Sequence, residues 1–184
     1  MEFIPTAIPG CLEIRPRPRP DDRGVFVKIF HAPSFRAQGL EADFQEDFYS
    51  LSKKGVLRGL HFHLPPHDHA KLVTCVAGAA LDAVVDLRQG SPTFGRHILV
   101  ELGAESRRLL YIPRGLAHGF YALKDETLML YKTTKPYSPD HDGGIRWDSA
   151  SIPWPDRSPI VSPRDQGLPT LPQFKSPFSW TVQP

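Results

Sequence analysis

Cysteine is nearly absent from this chain: Cys11 and Cys75 are the only two among 184 residues. A pair of thiols cannot build a disulfide framework. Cys75 also sits inside the apolar run LVTCVAGAAL, where a buried, reduced thiol is expected. Long apolar runs are missing too, and none approaches the roughly 20 residues that a membrane-spanning helix needs. The opening MEFIPTAIPG lacks the basic start and apolar core of a secretory signal, so a cytoplasmic location is expected. Charge of one sign is equally scarce: 22 Lys and Arg against 20 Asp and Glu leave +2, too little to draw nucleic acid. The one basic cluster, RPRPRP from Arg15 to Pro20, alternates with proline and reads as an extended, solvated connector. Neither a membrane nor a nucleic-acid partner is expected.

Room for long helices is lacking as well, because 20 prolines and 14 glycines interrupt nearly every stretch. Between them lie short β-rich runs: GVFVKIF, KLVTCVA, ALDAVVDL, RHILVEL, RRLLYIP and TLMLYKTT. Their length and turn-forming borders predict an all-β sandwich or barrel of jelly-roll type with a few short helices. Pro33–Gln38 and Ala104–Arg107 are the helix candidates, and Gly78 is expected to make a tight turn between antiparallel strands. No internal boundary appears, so residues 1–184 are expected to form a single domain. From about Ile152 the strand pattern gives way to a proline-rich segment, 152–184, with eight prolines. Trp154, Phe174, Phe178 and Trp180 in that segment predict packing on a core, a lobe or a second subunit rather than disorder.

What is abundant is histidine, concentrated in VLRGLHFHLPPHDHAK from Val56 to Lys71. On a strand, His61 and His63 share one face because side chains alternate. Such a pair suits a metal, but Lys71 does not: an ammonium has no lone pair and repels a cation. A lysine beside histidines suits another task, stabilising an oxyanion next to a carbon that loses its proton. Neutral histidine is a fitting base for that proton. His67 and His69, in PPHDH, are expected in a solvated loop. Asp82 and Asp86 flank the strand after Gly78 and read as structural, Asp86 pairing with Arg88.

Two segments, GLHFH from Gly59 with its continuation to Lys71 and Gly78, and YIPRGLAH from Tyr111 to His118, resemble the paired motifs of the cupin superfamily. In its metal-binding members the matching ligands would be His61, His63, an acid near position 71, and His118. Further matches narrow the resemblance. DDRGVFVKIF, SLSKKGVLRGLHF, DLRQGSPTFG, RLLYIPRGLAHGF, LYKTTKPYSPDHDGGIRWD and SPRD run in order from about Asp21 to Asp165. On these the chain resembles the dTDP-4-dehydrorhamnose 3,5-epimerase family, a metal-free branch of the cupins.

That resemblance implies a cupin jelly roll and a cofactor-independent epimerase in deoxysugar or surface-polysaccharide synthesis. Its substrate would be a nucleotide-diphosphate 4-keto sugar, inverted by removing a proton alpha to the ketone and returning one to the opposite face. Carried over residue by residue, His61 would be the base and Asp165 its orienting carboxylate. Tyr131 would be the acid of the other face, and Lys71, with His118, would polarise the ketone oxygen. Arg23 and Arg58 would hold the diphosphate or the sugar. Phe26, Lys28, Glu46, Phe48, Asp142 and Arg164 match further substrate-contacting positions. The family is dimeric, with strands exchanged near each site, so a homodimer is implied.

Five positions depart from the family pattern. Lys28 stands for a glutamate, Glu46 and Phe48 for the glutamine and asparagine of Q-x-N, His63 for a glutamine, and Pro136 for an aromatic, although Tyr137 follows at once. These changes predict the same chemistry but leave the carrier open between dTDP, GDP and CDP, and the sugar between hexose and heptose. A metal-dependent cupin using His61, His63 and His118, and a silent cupin that only binds sugar nucleotides, are the alternatives.

Overall fold

The strand-forming runs alternate inward and outward side chains, and the clearest is TLMLYKT, where every second residue from Thr127 to Thr133 is buried. In the computed structural model, which describes residues 1–181, these runs build two stacked antiparallel sheets. The strands are β1 (Glu2–Pro5), β2 (Leu12–Arg15), β3 (Arg19–Asp21), β4 (Gly24–Phe26), β5 (Glu46–Ser52), β6 (Leu57–His63), β7 (Lys71–Ala77), β8 (Ala79–Asp86), β9 (His97–Gly103), β10 (Leu109–Ile112), β11 (Leu116–Ala122), β12 (Thr127–Thr133) and β13 (Asp142–Gly144). Two short helices, α1 (Ala32–Arg36) and α2 (Pro163–Gln166), complete the regular α structure of the described residues.

One sheet has the order β1-β2-β10-β7-β12-β5 and the other β13-β6-β11-β8-β9, while β3 and β4 pair as a separate hairpin. This is the expected all-β jelly-roll architecture. Between the sheets lies a core of Val73, Cys75, Val84, Leu110, Phe120 and Met129, among others. The outer face of the six-stranded sheet is closed by α1, whose Phe35 is fully buried and meets Phe3 and Phe30 edge-on. Burying a phenylalanine in this way stabilises by roughly 1.5–3 kcal/mol.

The outer face of the five-stranded sheet is covered by the proline-rich segment. Phe178 is buried, and Trp154 and Phe174 pack against Leu60, Phe62 and Val85. That cover explains why all seven residues of β11 are buried. Trp180 instead stacks under the Arg88 guanidinium, 4.4 Å from its carbon to the ring centroid. Residues 182–184 of the segment lie outside the described residues.

Several local expectations need correction. Gly78 makes no hairpin, because β7 and β8 belong to different sheets. It is the corner at which the chain crosses, with φ +72° and Thr127 so near that a Cβ would meet its Cα at 2.8 Å. Ala104–Arg107 is a turn rather than a helix. The first helix spans Ala32–Arg36, with Pro33 in its first turn, where no backbone donor is needed. His69 is buried rather than solvated, and His67 lies against the His141 ring with centroids 4.3 Å apart. Arg88 does pair with Asp86, at 2.9 Å, inside a buried cluster with Ser91 and Thr93.

Candidate active site

A cavity of about 520 Å³ opens between the two sheets. From the five-stranded sheet come Arg58 and His61 on β6 and His118 on β11; from the six-stranded sheet come Phe48, Lys71 and Tyr131. Ser162, Arg164 and Asp165 of the proline-rich segment close one side. The sequence motifs therefore converge because the sheets face each other, although they are far apart in the chain.

The glycines of RGLH and AHGF have a steric reason. Gly59 adopts φ +135°, and a Cβ there would come within 2.6 Å of the Gly119 Cα. Without side chains, β6 and β11 approach closely enough for His61 and His118 to stand directly opposite each other in register.

His61 Nε2 lies 2.7 Å from Asp165 Oδ1. An ionised carboxylate offers only lone pairs, so Nε2 carries the proton and Nδ1 keeps a free lone pair. Asp165 is itself fixed. Its Oδ2 accepts the Gly59 N–H at 3.2 Å, and its own N–H donates to Ser162 Oγ at 3.1 Å, which caps α2. Burial alone would raise the Asp165 pKa, but the His61 hydrogen bond and charge, the Gly59 N–H and the Arg164 charge together hold it below the usual range.

A second histidine–carboxylate pair stands beside the first. His118 Nε2 lies 2.9 Å from Asp82 Oδ2, and both side chains are buried. Asp82 comes from β8, the strand adjoining β11. Its other oxygen, Oδ1, has no hydrogen-bond partner among the described residues. Burial raises the Asp82 pKa, with His118 and Lys71 opposing the shift. The sequence reading gave Asp82 a structural role and missed this pairing; spacing could not reveal it, since the contact spans 36 residues between neighbouring strands.

Lys71 begins β7, and its Nζ donates to the His61 carbonyl at 3.3 Å. Burial lowers its pKa to about 8, with Asp142 and Asp82 resisting the fall. Tyr131, on β12, is 7% exposed, and burial pushes its phenol well above the ordinary value. Among the described residues its hydroxyl has a single, long partner, Ser50 Oγ at 3.4 Å.

The remaining expected residues divide into those near the cavity and those away from it. The Arg58 Nε donates to Ser52 Oγ at 3.1 Å. Arg164 pairs with Asp142 at 2.7 Å, and the Tyr137 hydroxyl donates to the same carboxylate at 3.2 Å. Glu46 lines an adjoining cavity of about 170 Å³ with His63, His69 and Tyr137; Phe48 and Lys71 border both spaces. Arg23, Phe26 and Lys28 are not brought to this cavity. They are exposed on or just after the β3–β4 hairpin, where Arg23 pairs with its neighbour Asp21 at 2.6 Å.

The ligand set that a metal-dependent cupin would need is not assembled. Among the described residues no three His, Cys, Asp or Glu side chains converge as metal ligands.

This jelly roll, with its cavity between the two sheets, places the chain in the class of carbohydrate epimerases. Residues 5–173 match the model of the dTDP-4-dehydrorhamnose 3,5-epimerase family. The dTDP-4-dehydrorhamnose 3,5-epimerase of Shigella flexneri is 45% identical over 168 residues, 90% of this chain and 93% of that protein. The dTDP-4-dehydrorhamnose 3-epimerase of Streptomyces niveus is 41% identical over 169 residues, 90% of this chain and 82% of that one. A dTDP-6-deoxy-D-glucose-3,5-epimerase from Legionella pneumophila, solved in complex with dTDP-4-keto-L-rhamnose, superposes with a TM-score of 0.93 at 35% identity, covering 98% of this chain and 99% of its own. The chain belongs to the dTDP-4-dehydrorhamnose 3,5-epimerase family.

Proposed function

We propose that this protein inverts a carbon next to the C4 ketone of a dTDP-linked 4-keto-6-deoxy sugar, using no cofactor. One observation carries the reading: His61 and Tyr131 line one cavity from opposite sheets. A sugar ring held between them can lose a proton on one face and regain one on the other.

In this mechanism His61 Nδ1 takes the proton alpha to the ketone, and the C–H electron pair moves onto the ketone oxygen as an enolate. Asp165 holds the imidazole in the tautomer that does this and stabilises the cation formed. The Lys71 ammonium faces the developing oxyanion, a role for a cation already in place within a desolvated site. His118 does not share that role as a donor: its Nε2–H goes to Asp82, which leaves only a lone pair on Nδ1. Tyr131 then donates its O–H proton to the opposite face of the carbon. The phenolate recovers a proton from solvent, and His61 releases its own. Arg58 and Arg164 are suited to the diphosphate, through the planar fork that guanidinium offers phosphate.

The proposal extends to the assembly. Arg23, Phe26 and Lys28 are exposed in this chain, so their substrate-binding role requires a second subunit, and a homodimer in which the β3–β4 hairpin reaches a neighbouring site supplies it. Single-domain organisation and a cytoplasmic location belong to the same proposal. The reduced, buried cysteines support the location, their thiols pushed by burial up to about 12 for Cys11 and about 11 for Cys75. Among the described residues no helix is long and apolar enough to cross a membrane.

Incubating the protein in deuterated water with dTDP-4-keto-6-deoxyglucose tests the function. Deuterium should enter at C3, C5 or both, with inverted product accumulating. No exchange at either carbon overturns the reading in favour of a binding protein.

A further inference from the structure

Phe48 stacks on Tyr131 at the mouth of the cavity. The two residues are direct cross-strand partners between β5 and β12. Their rings stack with centroids 4.7 Å apart and planes 11° from parallel. Tyr131 is 7% exposed and Phe48 44%, so Phe48 forms the solvent-side wall over the phenol ring. β5 is also the edge of its sheet, and no further strand covers that side.

Polar contacts do little to aim the phenol. Among the described residues its hydroxyl has only the 3.4 Å contact to Ser50, a serine two residues along the same strand as Phe48. The next aromatic neighbour is His118, edge-on at 6.0 Å. The rest of the ring packs in the core between the sheets, and Phe48 supplies its one flat aromatic contact among the described residues.

We propose that Phe48 is a positioning residue: its ring holds Tyr131 so that the hydroxyl points at the reacting carbon, and this sets the ratio of inversion to same-face return of the proton. The proposal rests on the epimerase reading above. A phenol free to swing leaves the enolate waiting, and the protonated His61 then returns a proton, or a solvent deuteron, to the face from which it came.

The test compares Phe48→Ala, Phe48→Leu, Phe48→Tyr and Phe48→Trp in deuterated water. Two products are counted: inverted sugar, and sugar of unchanged configuration carrying deuterium. The ratio of the first to the second should fall about three- to tenfold in the Ala and Leu variants, the range spanned by the interaction of an aromatic pair. It should return to within about twofold of the original in the Tyr and Trp variants, which restore a flat face. Leucine supplies bulk without that face, so the comparison stands even if the alanine variant fails to fold. A ratio that does not depend on residue 48, or one that leucine restores fully, overturns the proposal. A change in KM alone overturns it too, assigning Phe48 to substrate contact. An unsubstituted protein that exchanges no deuterium sinks the epimerase reading and this proposal together.

Discussion

Asp165 holds the His61 ring nitrogen at 2.7 Å across 104 residues of sequence. The carboxylate arrives on a four-residue helix capped by Ser162, so a segment with no strand pattern completes the site. Replacing His61 by asparagine should lower deuterium exchange at every exchanging carbon by about 10²–10⁴-fold, the usual contribution of a general base. Asp165→Asn should cost a comparable factor, because an amide can donate to Nε2 and favour the wrong tautomer. Exchange near the original rate in either variant would remove the pair from the mechanism.

Base and acid on opposite walls should separate on mutation. Tyr131→Phe keeps the ring and its stack on Phe48 but removes the O–H. Net inversion should fall by about 10²-fold or more, while deuterium wash-in falls much less, since His61 can still remove and return a proton on its own face. Equal loss of both would assign Tyr131 to enolate stabilisation or folding.

Lys71 gives a pH dependence with a definite sign. Its folded pKa is lowered from 10.5 to about 8, so the ammonium that polarises the ketone is lost as pH rises through about 8. Turnover should decline on that alkaline side, and Lys71→Met should be slow with the decline abolished. The same shift affects stability. Between about 8 and 10.5 the unfolded chain binds this proton and the folded chain does not, so this group's contribution to stability rises with pH. An alkaline limb that persists in Lys71→Met belongs to another group.

Asp82 should matter to folding as well as to turnover. Truncation to alanine leaves the buried His118 N–H without its acceptor, a loss of about 1–3 kcal/mol. Denaturant unfolding should show a lower midpoint with an unchanged slope. Stability equal to that of the parent protein would mean that water replaces the carboxylate.

The carrier is open to direct measurement. Calorimetry with dTDP, GDP and CDP should favour dTDP, in line with the family, despite Lys28, Glu46, Phe48 and His63. Tighter binding of GDP or CDP would show that these four departures changed the base chosen.

Much of this was legible in the chain itself. Short runs between prolines and glycines foretold the sheets, since alternation is local and two side chains two residues apart must share a strand face. The likeness of RGLH, AHGF and LYKTT to a known family named His61, His118 and Tyr131 before any fold was in view. Lys71 beside the histidines suggested an anionic intermediate rather than a metal, because an ammonium close to the histidines has no lone pair to offer a cation.

Other features are long-range and could be decided only by tertiary structure. Gly78 reads as a hairpin turn because local sequence cannot tell a turn within a sheet from a crossing between sheets. Asp82 was paired with His118 by the neighbouring of β8 and β11, which no spacing records. Phe48 became the wall of Tyr131 through the register of β5 on β12, and a one-residue slip would have turned it to the other face. The sequence determined which chemical groups are present and which strands they occupy. Packing of the two sheets decided which groups meet, because contacts between distant strands depend on register and layer order rather than on proximity along the chain.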